Sequence, residues 1–229
     1  MNDFLTDNKT DVTENNLSLK YLIRAPKVKS SKQKAIILLH GVGSNEKDLF
    51  NLADQLPDDF YIIAPGGQFT LSEGRYAWYN VDFSTGKPII NKEQEASSRG
   101  VISAFIKEIK QQYKIDELYL GGFSQGAIMS YTVGLMNPKE INGIIAFSGR
   151  MPEEIKPLVK VNEALQQLKV FIAHGIQDST LPIHYSRQAK DYLESLGVQL
   201  SYNEYNIGHQ INGTVLKDLN EWLSKNSSQ

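Results

Sequence analysis

The sequence predicts an α/β protein with one mostly parallel, twisted sheet covered by helices on both faces. Three observations carry that expectation. Short apolar runs alternate with stretches of helical periodicity along most of the chain. One run, "KAIILLH" at 34–40, is continuously apolar, as a strand buried on both faces must be. The chemically unusual residues fall just after apolar runs, where the carboxyl ends of parallel strands gather function.

Taken in order, residues 1–16 are polar and acidic and read as a loose tail, without the basic-then-apolar layout of a signal peptide. "LSLKYLIRA" (17–25) alternates like an edge strand, and "KAIILLH" follows as a central one. Leu49, Phe50, Ala53 and Leu56 lie at helical spacing, and "FYIIAP" is a strand closed by Pro65. Residues 66–92 read as a long loop. Val101, Ile102, Phe105, Ile106, Ile109 and Tyr113 then recur as one helix face. "ELYLGG" is a strand and "GAIMSYTVGLM" a helix. "INGIIAFSG", "KVFIAHG" and "VQLSYNEYN" are later strands, with helices at 183–196 and at the C-terminus. No repeat or linker splits the chain, so residues 17–224 form a single domain followed by a frayed end at 225–229.

Composition narrows the function classes. A formal charge of −2, from 24 basic and 26 acidic residues, gives no electrostatic case for nucleic acid or an anionic membrane. The longest purely aliphatic run, 35–39, is far short of a membrane span, so stable membrane insertion is not expected. The absence of cysteine excludes disulfides, thiolate catalysis and cysteine metal sites. A cytoplasmic location is the default, as is a homodimer, although no residue argues for one.

Chemistry centres on Gly122-Phe123-Ser124-Gln125-Gly126, a G-x-S-x-G between a strand and a helix. On a strained turn Ser124 would project from the sheet edge, with the glycines relieving a strand-helix approach too close for a Cβ. Alone, the serine equally suits a helix N-cap. A nucleophilic hydroxyl needs a base. His40 and His174 each end a strand before a glycine and read as turn residues; His184 is too near the best acid to share one serine with it. His209, on its own loop after a strand, remains. Asp178, in a loop after "KVFIAHG", is the acid that would orient it, although Asp is also a common turn or cap residue there. Glu204 is a weaker rival. The backbone N–H groups of Gln125 and Val42, the latter in "HGVGSNEKDL", are the candidate oxyanion donors. That loop lacks the Lys-Ser/Thr and third glycine that phosphate-binding loops require.

"LLHGVGSNEKDL", "RYAWYN", "GFSQG", "HGIQDSTLP" and "GHQI", in that order, resemble the phospholipase/carboxylesterase family of α/β-hydrolases across residues 17–224. The resemblance implies an α/β-hydrolase fold without a large cap domain. It also implies hydrolysis of carboxylic esters or thioesters through an acyl-serine, and such chemistry requires no metal or organic cofactor; a small-molecule ester is the expected partner. Carried over by motif, Ser124 is the nucleophile, Asp178 the acid, His209 the base, and the Val42 and Gln125 amides the oxyanion hole. Short to medium acyl esters are the leading substrates. An acyl-protein thioesterase or lysophospholipase is the alternative within the same mechanism, and a non-catalytic binding protein the alternative outside it. Trp78 and Tyr79 would form an aromatic substrate wall, or else pin their loop to the core. Leu181 stands where the family often has valine and could reshape the acyl pocket. Arg150 either meets an acidic substrate group or is a solvated surface residue.

Overall fold

In this computed structural model residues 12–14, 17–82, 84 and 89–228 are described. Eight strands make one sheet: β1 (Val12–Glu14), β2 (Tyr21–Arg24), β3 (Lys34–Leu39), β4 (Phe60–Pro65), β5 (Glu117–Phe123), β6 (Gly143–Phe147), β7 (Lys169–Gly175) and β8 (Gln199–Tyr205). Their order is β1-β2-β4-β3-β5-β6-β7-β8. β1 and β2 run antiparallel to their neighbours, and every pairing from β4 to β8 is parallel.

Side chains alternate between two apolar layers, as the pleat requires. On β3, Ala35, Ile37 and Leu39 enter one cluster and Ile36 and Leu38 the other. Helices α2 (Lys92–Gln112), α3 (Gln125–Met136), α4 (Glu163–Gln166) and α5 (His184–Ser195) cover the first face, through residues such as Phe105, Met129, Leu165 and Leu193. Helices α1 (Glu46–Phe50) and α6 (Gly213–Asn226) cover the second, through Leu49, Phe50, Leu219 and Trp222. The α/β architecture read from the sequence is therefore the one observed.

Three expectations need correction, and one helix boundary is added. Within the stretch taken as a loose tail, Val12–Glu14 pairs with β2, so β2 is the second strand rather than the edge. Residues 1–11, 15 and 16 lie outside the described set. The C-terminal end is anchored rather than frayed: Lys34 Nζ donates to Ser228 O (2.9 Å), Tyr119 Oη to Asn226 O (2.9 Å), and Ser228 N–H to Glu117 Oε2 (3.1 Å). These contacts are polar, so no apolar period announces them. Residues 66–92 contain a ribbon, Phe69–Ser72 with Arg75–Ala77, and a two-residue pairing of Val81–Asp82 with Ile89–Ile90. Such strands are too short and exposed to read as alternation. Finally, α2 begins at Lys92, well before its apolar period, because Asn91 caps it by accepting from Gln94 N–H (3.0 Å).

Candidate active site

β5 ends at Phe123 and α3 begins at Gln125, which leaves Ser124 alone in the turn with φ 54° and ψ −116°. A non-glycine residue held there stores on the order of 1–3 kcal/mol of strain. The flanking glycines explain how the strand and helix come this close. A Cβ on Gly126 would lie 1.9 Å from Leu39 O, and one on Gly122 would lie 2.4 Å from the Gly126 carbonyl carbon. The turn is stitched to the next strand by Ser124 N–H, which donates to Phe147 O (2.9 Å). Ser124 makes no side-chain cap bond, so its hydroxyl is not acting as a helix cap.

The loop after β3 reaches the same place. A Cβ on Gly41 would sit 3.5 Å from Ser124 Cβ, in ordinary contact. Several bonds hold this loop. Gly43, with φ +78°, donates to Tyr76 O (2.8 Å), and Tyr76 N–H donates to Ser44 O (2.8 Å). His40 is buried, and its Nε2 accepts from Gly67 N–H (2.9 Å), so Nδ1–H donates to Gly41 O (2.7 Å). Burial pushes the pKa of this ring below its ordinary value. Among the described residues the Val42 N–H has no acceptor. Gln125 N–H, at the first position of α3, has no partner within the helix either.

A clamp that sequence reasoning did not find ties these parts together. The buried Gln125 side chain accepts from Trp78 N–H (2.8 Å) and donates to Tyr79 O (2.7 Å). Trp78 Nε1–H donates to His40 O (2.9 Å), and Ser98 Oγ donates to Trp78 O (2.5 Å). Trp78 is wholly buried, so it pins the loop to the core and forms no substrate wall. Tyr79 is 2% exposed and borders a cavity.

Asp178 and His209 come from the loops after β7 and β8. Those loops are zipped by Ile176 N–H to Tyr205 O (2.8 Å) and Gln177 N–H to Ile207 O (3.0 Å). Gly175 permits the approach, since a Cβ there would lie 2.2 Å from Ile207 O. His209 Nδ1–H donates to Asp178 Oδ2 (2.6 Å), which leaves Nε2 unprotonated in the neutral ring. Asp178 Oδ1 accepts from Thr180 N–H (2.9 Å) and Leu181 N–H (2.8 Å), and the side chain is shut off from solvent. Leu181 thus joins the site through its backbone. The His209 ring lies 4.7 Å, centroid to centroid, from that of Phe123, the residue before Ser124.

The other histidines are accounted for. His174 Nε2–H donates to Leu181 O (2.7 Å) and lies 3.4 Å from Asp178 Oδ2. Burial lowers its pKa, so the neutral ring steadies the acid loop without adding a second cation. His184 is exposed against Tyr185. Glu204, the rival acid, is engaged by Arg187 through two bonds of 2.8 Å.

A sheet of this order, with a serine on a strained turn after its fifth strand and an Asp-His pair after its seventh and eighth, has the layout of an α/β-hydrolase. The model of the phospholipase/carboxylesterase family matches residues 22–227, and the chain belongs to that family of carboxylic ester hydrolases. Acyl-protein thioesterase 1 of Kluyveromyces lactis is 29% identical over 223 residues, covering 89% of this chain and 97% of that protein. Among solved structures, esterase PE8 shares 26% identity with a TM-score of 0.75, over 90% of this chain and 97% of its own. The Bacillus cereus carboxylesterase, at 23% identity, shares the fold with a TM-score of 0.79 over 93% of this chain and 96% of its own. Among the described residues no helix is long and apolar enough to cross a membrane.

Proposed function

We propose that this chain hydrolyses carboxylic esters of short to medium acyl length through an acyl-serine. Ser124 attacks the ester carbonyl while His209 Nε2 takes its proton, and Asp178 holds the imidazole in the required tautomer and stabilises its charge. The Val42 and Gln125 amides receive the oxyanion of the tetrahedral intermediate. The imidazolium then protonates the leaving alcohol, and water activated by His209 releases the acid. The observation that carries this reading is the 2.6 Å bond from His209 Nδ1 to Asp178 Oδ2 at the sheet edge that presents Ser124 on its strained turn. The recess of about 200 Å³ that begins at Ile128, on the side away from His209, suits a short acyl chain.

A second reading, thioester hydrolysis with the same residues, is supported by the 29% identity to the Kluyveromyces lactis acyl-protein thioesterase 1. Initial rates on p-nitrophenyl esters from acetate to palmitate, with Ser124→Ala as control, test the proposal. Activity peaking at short chains and lost in the variant is expected. A steady rise toward palmitate would move the assignment to lipid or acyl-protein substrates, and equal activity in the variant would refute the mechanism.

A further inference from the structure

The esterase reading leaves one conspicuous group unused. Arg150 follows Ser148-Gly149 at the end of β6 and is half-buried, yet among the described residues it makes no hydrogen bond and no ion pair. Its guanidinium nitrogens remain open to solvent and so are free to pair with an incoming anion. It lines the recess of about 200 Å³ together with Tyr79, Ile90, Ile128 and Ile155. The Tyr79 side chain, almost wholly buried, likewise has no hydrogen bond to its hydroxyl among the described residues. The recess thus holds an unpartnered cation and an unpartnered donor.

The recess also has a definite relation to Ser124. Ile128 N–H donates to Ser124 O (3.1 Å), so the recess begins one helical turn from the serine. It lies toward the sheet face covered by α2 and α3. The recess that contains His209, by contrast, is lined by Leu49 and Leu52, toward the α1 face. The leaving alcohol must lie beside His209 to receive its proton, so the acyl part extends the other way, toward Tyr79 and Arg150.

We propose that Arg150, with the Tyr79 hydroxyl, forms a carboxylate subsite for the far end of the acyl chain, making half-esters of short dicarboxylic acids the preferred substrates. This rests on the esterase reading above. A guanidinium receives a carboxylate through paired N–H bonds, which fixes its direction as well as its charge. The other charges in the recess fit a singly charged ligand. Arg99 is matched by Glu95 (3.7 Å), while Lys92 and Glu154 are exposed and opposite in sign. Burial pushes the Glu95 carboxyl upward, against the pull of Arg99.

The test compares monoethyl glutarate with ethyl pentanoate, acyl chains of equal length ending in a carboxylate and a methyl, by pH-stat titration. Wild type is expected to favour monoethyl glutarate in kcat/KM. Arg150→Gln should lower the ratio between the two esters by about tenfold or more, and Arg150→Lys should keep a larger share of it. A ratio unmoved by Arg150→Gln, with both esters still turned over, would overturn the subsite and leave the esterase reading standing. No turnover of either ester by wild type would contradict the esterase reading and the subsite with it.

Discussion

The two halves of the site are built by different means. The nucleophile half is set by backbone sterics: Ser124 holds φ 54° between glycines whose Cβ atoms would collide with main-chain atoms at 2.4 Å or less. The acid–base half is set by hydrogen bonds: three fix Asp178 and His209, and a fourth, from His174 to Leu181 O, steadies their loop. Steric construction tolerates no added atom, because the obstacle is backbone that cannot step aside. Polar construction tolerates partial loss, since each bond contributes separately and water can replace some of them.

The largest effects should fall on chemistry. Ser124→Ala is expected to lower kcat by about a ten-thousandfold or more while the protein still folds. Asp178→Asn, which leaves the ring in the wrong tautomer, should cost about a thousandfold or more. Both are read from steady-state rates on a short p-nitrophenyl ester with circular dichroism as the folding check. Comparable loss in His184→Ala would break the assignment of the base.

Next comes the steric half. Gly126→Ala should destabilise the fold by about 3 kcal/mol or more, because its methyl meets Leu39 O. Urea unfolding measures this, and a loss within about 0.5 kcal/mol would mean that strand and helix are not as tightly apposed as described. Gln125→Ala tests the join between that half and the loop carrying Trp78 and Tyr79. It leaves Trp78 N–H and Tyr79 O without their partner, at an expected cost of about 1–3 kcal/mol. Unchanged stability and rate would show the clamp to be dispensable.

The smallest effect concerns pH. His40 and His174 have pKa values held below the ordinary 6.5 by burial. Below pH about 6.5 the unfolded chain takes up protons on these rings and the folded chain does not. Stability is therefore fully present above that pH and declines as pH falls below it, by at most about 1.4 kcal/mol per pH unit for each ring. His174→Asn should flatten the decline between pH 7 and about 5.5 in urea titrations, and an unaltered slope would count against it.

The nucleophile half was the more legible in sequence. Gly122 and Gly126 mark the turn because steric demands select residue types at fixed short spacing, and such spacing survives in one dimension. The strands from β2 to β8 and the longer helices were legible through apolar periodicity, whereas β1 and the short pairings within 66–92 were not. The Gln125 clamp joins residues more than forty positions apart through a side chain that is unremarkable in isolation, so no local pattern marks it. Gly175 was visible only as the second member of a His-Gly pair, and its purpose depends on the Ile207 carbonyl, far along the chain. Trp78 was readable as aromatic and therefore anchoring, but whether it faced substrate or core depended on the His40 carbonyl that its indole meets.

The central claim is that Ser124 is a nucleophile activated by His209. It is tested most directly by labelling with a fluorophosphonate and mapping the adduct by peptide mass spectrometry, in wild type and in His209→Ala. The account predicts a single adduct on Ser124 whose formation collapses in the variant. An adduct elsewhere, or one that forms on Ser124 as fast without His209, would contradict it.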